Sequence, residues 1–120
     1  MSHIVSVHTK VTDPAAITAA CARMNLAAPV QGTAKLFASE ATGLIVQLPG
    51  WTYPIVISPS SGEVKYDNFQ ENWGAQVQLD RFMQTYAVEK CRLEARRKGY
   101  QVNEQQLQDG SIKVTILDGA

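Results

Sequence analysis

The chain's two histidines, His3 and His8, stand with Ser2 in its first eight residues. Imidazole is the usual general base and a common metal ligand. The segment around them alternates, with His3, Val5, Val7, Thr9 and Val11 on one face of an expected strand. The spacing from His3 to His8 is odd, so the two rings point to opposite faces and cannot hold one metal together. The cysteines, Cys21 and Cys91, have no Cys or His neighbour at ligand spacing and fall in helix-like sequence. They read as small buried hydrophobes rather than as a disulfide. No serine carries the glycines of a nucleophile elbow, and there is no phosphate loop, dinucleotide fingerprint or zinc spacing. Asp67, Asn68, Glu71 and Asn72 are oxygen donors close together, but their spacing is not that of an EF-hand loop. They read as a turn followed by a helix cap. The expectation is no catalytic residue, no metal and no cofactor.

Residues with binding chemistry are better represented. The chain has two Trp, four Tyr and three Phe, and residues 50–74 hold five of these: Trp51, Tyr53, Tyr66, Phe69 and Trp73. On the first reading they are core and rim: Tyr53, Ile55 and Ile57 share a strand face, Val64 and Tyr66 another, and Phe69 and Trp73 fold back at a helix start. On the second, Trp51, Tyr66 and Trp73 form an exposed stacking or partner surface. A second group is basic: Lys90, Arg92, Arg96, Arg97 and Lys98. Lys90 and Arg97 lie near the apolar line of their helix, where an unpaired charge is costly. Either that half of the helix overhangs the sheet in solvent, or it docks a partner or an RNA backbone. The candidate partner or ligand surface is therefore Trp51, Tyr66, Trp73, Lys90, Arg92, Arg96 and Arg97.

Elements must position these residues. "TDPAAITAACARMN" reads as a helix capped by Thr12 or Asp13, with Pro14 in its first turn and Ile17, Cys21 and Met24 on the buried stripe. "TAKLFAS" and "TGLIVQL" read as strands with a turn near Glu40, and "YPIVI" and "EVKY" as a hairpin around "SPSSG". The stretch from Gln70 to Gly99 carries the strongest helical period. Leu79, Phe82, Met83, Tyr86 and Leu93 line one arc, and Ala87, Cys91 and Ala95 widen it. About 20–25 helical residues are expected there, with Glu94 and Lys98 paired across one turn and Gly99 ending the helix. "YQVNEQQLQDGSIKVTIL" reads as a hairpin. A two-residue turn would pair Ile112 with Leu107; a three-residue turn bulged at Gly110, the preferred reading, pairs it with Gln106 and aligns Val102 with Ile116.

At 120 residues, 45% hydrophobic and 18% charged, the chain has the size and composition of one globular domain spanning 1–120. Eleven basic residues balance eleven acidic ones, which argues against nucleic-acid binding as the main role. No apolar run is long enough to span a membrane, and "MSHIVSVHTK" is not a signal peptide, so a cytoplasmic location is expected. The fold class is α+β: a two-layer sandwich with a mainly antiparallel sheet of about six or seven strands and two helices on one face. An extended ferredoxin-like core is one form of it.

"MSHIVSVHTKV", "YAVEKCRLEARRKGYQV" and "DGSIKVTI", in this order and at these distances, resemble the conserved hypothetical reading-frame family of plastid genomes, cyanobacteria and other bacteria. The likeness covers both ends, roughly half the chain, while the middle with "YDNFQENWG" departs from the plastid form. The family is one of unknown function with no catalytic residues to carry over. The neighbourhood of its genes to AAA-type ATPases implies an accessory role in such an assembly. The expected function is thus a non-catalytic interaction module with a protein partner. Edge strands make a homodimer plausible. The alternatives are a nucleic-acid-binding module using the basic helix end, or a small-molecule enzyme with an unrecognised pocket.

Overall fold

Asp13 opens the first helix in the computed structural model of the chain, which describes residues 4–7 and 10–117. The expected roles of Ser2, His3, His8 and Thr9 lie outside the described residues. Strand β1 (Ile4–Val7) precedes helix α1 (Pro14–Arg23). Asp13 Oδ1 accepts the backbone N–H groups of Ala15 and Ala16, and Pro14 occupies the first turn, where its missing N–H costs nothing. Ala16, Ile17, Ala20 and Cys21 form the buried face.

Strands β2 (Val30–Lys35), β3 (Glu40–Val46), β4 (Ile55–Ser58) and β5 (Glu63–Asp67) run as an antiparallel meander, and β1 pairs with the far side of β5. The sheet order is β1-β5-β4-β3-β2. Period two sets its faces. Ile55, Ile57, Val64 and Tyr66 meet both helices, while Val56 joins Ala34, Leu36 and Ala41 on the opposite face. Two expectations shift here. β2 begins at Val30, three residues before the expected strand, because its partner Ile45 extends the ladder that far. Tyr53 packs with Val56 and not with Ile55 and Ile57, because the chain is irregular at Tyr53–Pro54 and the strand alternation starts only after it.

Helix α2 (Gln76–Arg97) is 22 residues long. Leu79, Phe82 and Tyr86 are buried against the sheet and α1, with Met83 and Leu93 half-buried beside them. Ala95 is buried, whereas Ala87, expected to widen the buried arc, is exposed. At 100° per residue it falls on the flank away from Phe82. The helix ends in a Schellman motif. Gly99 adopts φ +77°, its N–H donates to Arg96 O, and the Tyr100 N–H donates to Ala95 O.

Strands β6 (Gln101–Gln106) and β7 (Ile112–Leu117) form a separate two-stranded sheet. Val102 faces Ile116 and Gln106 faces Ile112, the register of the turn bulged at Gly110. The expected single sheet is therefore divided into five strands and two. This excludes the ferredoxin-like connectivity, in which the strand after the second helix returns to the main sheet. Both helices do lie on one face of the large sheet, and the fold is α+β. No helix among the described residues is long and apolar enough to cross a membrane.

Candidate functional site

The two tryptophans occupy different worlds. Trp51 is 5% exposed; its indole N–H donates to Ala75 O at 3.0 Å and its ring meets Tyr66 edge-on at 5.6 Å. Gly74 lies directly against it: a Cβ there would fall 2.3 Å from Trp51 Cδ2. Trp51 and Tyr66 thus belong to the core, and the reading that exposed them as a partner surface does not hold for these two. Trp73 stands instead at the centre of a second aromatic group. Its ring is 4.7 Å from Phe69, 5.0 Å from Phe37 and 5.5 Å from Tyr53. Phe37 comes from the β2–β3 turn, Tyr53 from the approach to β4, and Phe69 and Trp73 from the β5–α2 loop. Phe37 is 44% exposed and the other three are half-buried.

The loop that delivers Phe69 and Trp73 is strained. Phe69, Gln70 and Glu71 have φ of +44°, +50° and +73°, three successive non-glycine residues in the left-handed region. Each such residue costs about 1–2 kcal/mol. Local bonds offset this. Asp67 Oδ1 accepts the Phe69 N–H, the Asn72 N–H donates to Phe69 O, and the Trp73 N–H donates to Asn68 O. Glu71 Oε1 accepts the Gln76 N–H and so caps α2 from outside. The carboxylates and amides of this loop therefore turn and cap, as their spacing implies, and the turn holds two aromatic rings together.

The basic half of α2 is largely committed within the fold. Lys90 Nζ lies 3.1 Å from Glu94 and 3.7 Å from Asp13, and Arg97 lies 3.7 Å from Asp13. The expected Glu94–Lys98 pair is replaced by Lys90–Glu94, because Lys90 also reaches the carboxylate that caps α1. The Tyr86 hydroxyl accepts the N–H groups of Thr12 and Asp13 at the same junction. Arg92 and Arg23 grip the Glu104 carboxylate from α2 and α1, Arg23 at 2.5 Å. Those guanidinium hydrogen bonds, Arg23's foremost, hold the Glu104 pKa below the ordinary carboxylate range. Among the described residues Arg96 alone of the four candidate bases has no ion pair; it lines a shallow hollow with Arg92, Tyr100 and Val102. α1 and the β6–β7 hairpin flank this half of the helix, and Glu94, Arg96 and Arg97 on its outer side are exposed to solvent.

No family model, curated protein or solved structure matches the chain.

What the arrangement can do chemically follows from its own residues. Burial pushes the Cys21 thiol up, away from the thiolate form a nucleophile needs. The Glu94 hydrogen bond raises the Lys90 pKa and keeps that amine protonated. Among the described residues no group of three His, Cys, Asp or Glu side chains is placed to hold a metal. A hollow of about 620 Å³ is an open trough along α2 lined by Leu79, Met83, Tyr86, Ala87 and Cys91 between Asp80 and Lys90. It is a surface to lie against rather than an enclosed reaction chamber. The aromatic group is likewise a contact surface. The sequence places Phe69 beside Trp73 at the helix start but does not bring Phe37 and Tyr53 to them. Phe37 reads as part of the strand "TAKLFAS", whereas β2 ends at Lys35 and leaves its ring in the turn, which no local signal marks.

Proposed function

We propose that this protein is a cytoplasmic, non-catalytic interaction module whose partner-binding surface is the aromatic group centred on Trp73. The observation that carries this reading is that group itself. Rings from three separate chain segments converge on one indole, one of them well exposed, on a loop that holds three left-handed residues to do so. Large aromatic side chains with a rigid backing are the favoured anchors of protein–protein contacts. The resemblance to the plastid and cyanobacterial reading-frame family supports an AAA-type ATPase assembly as the partner.

A nucleic-acid role has less support. It needs the aromatic rings and the basic helix end to act together, yet these sit at opposite ends of α2, a helix of about 33 Å at 1.5 Å per residue. Three of the four candidate bases are also ion-paired within the fold.

The test is retention of partners from native lysate by the tagged chain, its Trp73→Ala form and its Arg96→Ala form, at low and high salt. The expected result is a stoichiometric protein that survives high salt, falls at least about tenfold with Trp73→Ala and is unchanged by Arg96→Ala. Nucleic acid that leaves as salt rises, is lost with Arg96→Ala and is kept by Trp73→Ala would overturn the reading.

A further inference from the structure

Where the end of α1, one flank of α2 and the tip of the β6–β7 hairpin meet, they enclose a polar cleft of about 470 Å³. Carboxamides reach it from three segments: Asn25 just past α1, Gln78 and Gln84 on α2, and Gln106 at the end of β6. Gln84 Nε2 donates to Gly110 O, which leaves its Oε1 for another partner. The side chains of Asn25 and Gln106 make no hydrogen bond among the described residues. Gln78 Oε1 is shut off from solvent with no hydrogen-bond partner, alone in this among the buried side-chain oxygens and nitrogens of the described residues. A buried acceptor in that state is costly. Arg81 also lines the cleft, and its guanidinium has neither ion pair nor hydrogen bond among the described residues. Asp80 and Asp109, which line an adjoining hollow with Arg81, are engaged by Gln76 and Ser111 instead. Arg23 at the rim is neutralised by Glu104 and Glu89.

We propose that this cleft binds a small hydroxylated carboxylate of the sugar-acid class. A hydroxyl both donates and accepts a hydrogen bond, and so does a primary carboxamide. Four carboxamides therefore match a run of hydroxyls, where charged side chains would match only half of each. Arg81 supplies the forked donor that a carboxylate needs. No acidic side chain among the described residues lines the cleft, so a cation finds no partner there. A ligand hydroxyl that draws the Gln78 carboxamide into the cleft gives Oε1 the donor it lacks. Met24, Pro49 and Ile112 offer apolar wall to the carbon skeleton. The site is separate from the aromatic group, with which it shares no residue. A ligand here touches α1's end, α2 and the hairpin at once, and so fastens a hairpin that shares no ladder with the main sheet.

Proton–nitrogen NMR titration of the full chain tests this with D-gluconate as the probe. Glucitol, which has the hydroxyls without the carboxylate, and acetate, which has the carboxylate without the hydroxyls, serve as comparators. Gluconate is expected to give saturable shifts in the side-chain amides of Gln78, Gln84 and Gln106, and to bind at least about tenfold more tightly than either comparator. Arg81→Gln should weaken gluconate at least about tenfold and leave glucitol unchanged. Gln78→Leu should weaken gluconate and glucitol alike with the fold intact by circular dichroism, since it removes the unpaired acceptor together with the amide. Trp73→Ala should change none of these, so the cleft and the aromatic surface succeed or fail separately. Absence of saturable gluconate binding overturns the proposal. So does acetate that binds as tightly as gluconate, which would reduce the site to a bare anion contact, or a gluconate affinity that survives both Arg81→Gln and Gln78→Leu.

Discussion

At the scale of single residues, neighbours in sequence do opposite jobs. Gly74 exists to let Trp51 lie flat against the backbone, and Trp73 beside it reaches outward to three other rings. Gly74→Ala inserts a methyl group 2.3 Å from the indole, where neither backbone nor ring yields cheaply. Overpacking of this kind costs about 1–3 kcal/mol, and urea unfolding followed by Trp fluorescence should read that loss. Trp51→Ala should cost more, about 3–5 kcal/mol, because it empties a core site and removes the indole bond to Ala75 O, which keeps only the Gln78 N–H. Trp73→Ala should cost less than about 2 kcal/mol, since its ring is only partly buried, while abolishing partner capture. Equal destabilisation by the two tryptophan truncations would remove the distinction between core ring and surface ring. In sequence the difference was hidden. Trp51 follows "LPG" with no periodicity around it, and its burial is decided by a glycine 23 residues later.

At the scale of elements, the β6–β7 hairpin is the part most dependent on a few bonds. A lone two-stranded sheet is marginal in water, and this one shares no ladder with the five-stranded sheet. Its apolar face, Val102, Ile112 and Val114, is only half-covered by α2, and Ile116 is 46% exposed. Glu104, held by Arg23 and Arg92, fastens it to both helices, and Gln84 adds a bond to Gly110 O. The Glu104 pKa is lowered by those partners, so its contribution is full above the ordinary glutamate value of about 4.3 and is lost as pH falls through the lower folded value. Hydrogen exchange should show the hairpin amides opening ahead of the five-stranded sheet as pH drops below about 4.3. Glu104→Gln should open the hairpin at neutral pH, cost about 1–2 kcal/mol for these partly exposed pairs, and erase the acid step. An acid step that persists in the variant would assign it to another carboxylate. The hairpin's own register was legible beforehand because alternation and the Asp109–Gly110 turn are local signals. So were α2 and the Asp13 cap of α1. That the hairpin leaves the main sheet was not legible, since alternating residues look the same whichever sheet receives them. The Phe69–Glu71 left-handed run was equally invisible, because no glycine marks it and only the packing of Trp73 and the cap on Gln76 hold it.

At the scale of the whole molecule, shape and surface combine. The principal extents are 55 × 32 × 23 Å and the radius of gyration is 15.2 Å, against about 13.6 Å expected for a compact chain of this length. An elongated chain of this size has proportionally more surface and less core than a sphere, so association contributes a larger share of its stability. Partner binding at the aromatic group couples to folding by mass action, because only the folded chain brings Phe37, Tyr53, Phe69 and Trp73 together. The melting temperature of the wild type should therefore rise as captured partner is added, and that of the Trp73→Ala chain should not. Calorimetry on the two chains checks this, and an equal rise in both would move the contact to another surface.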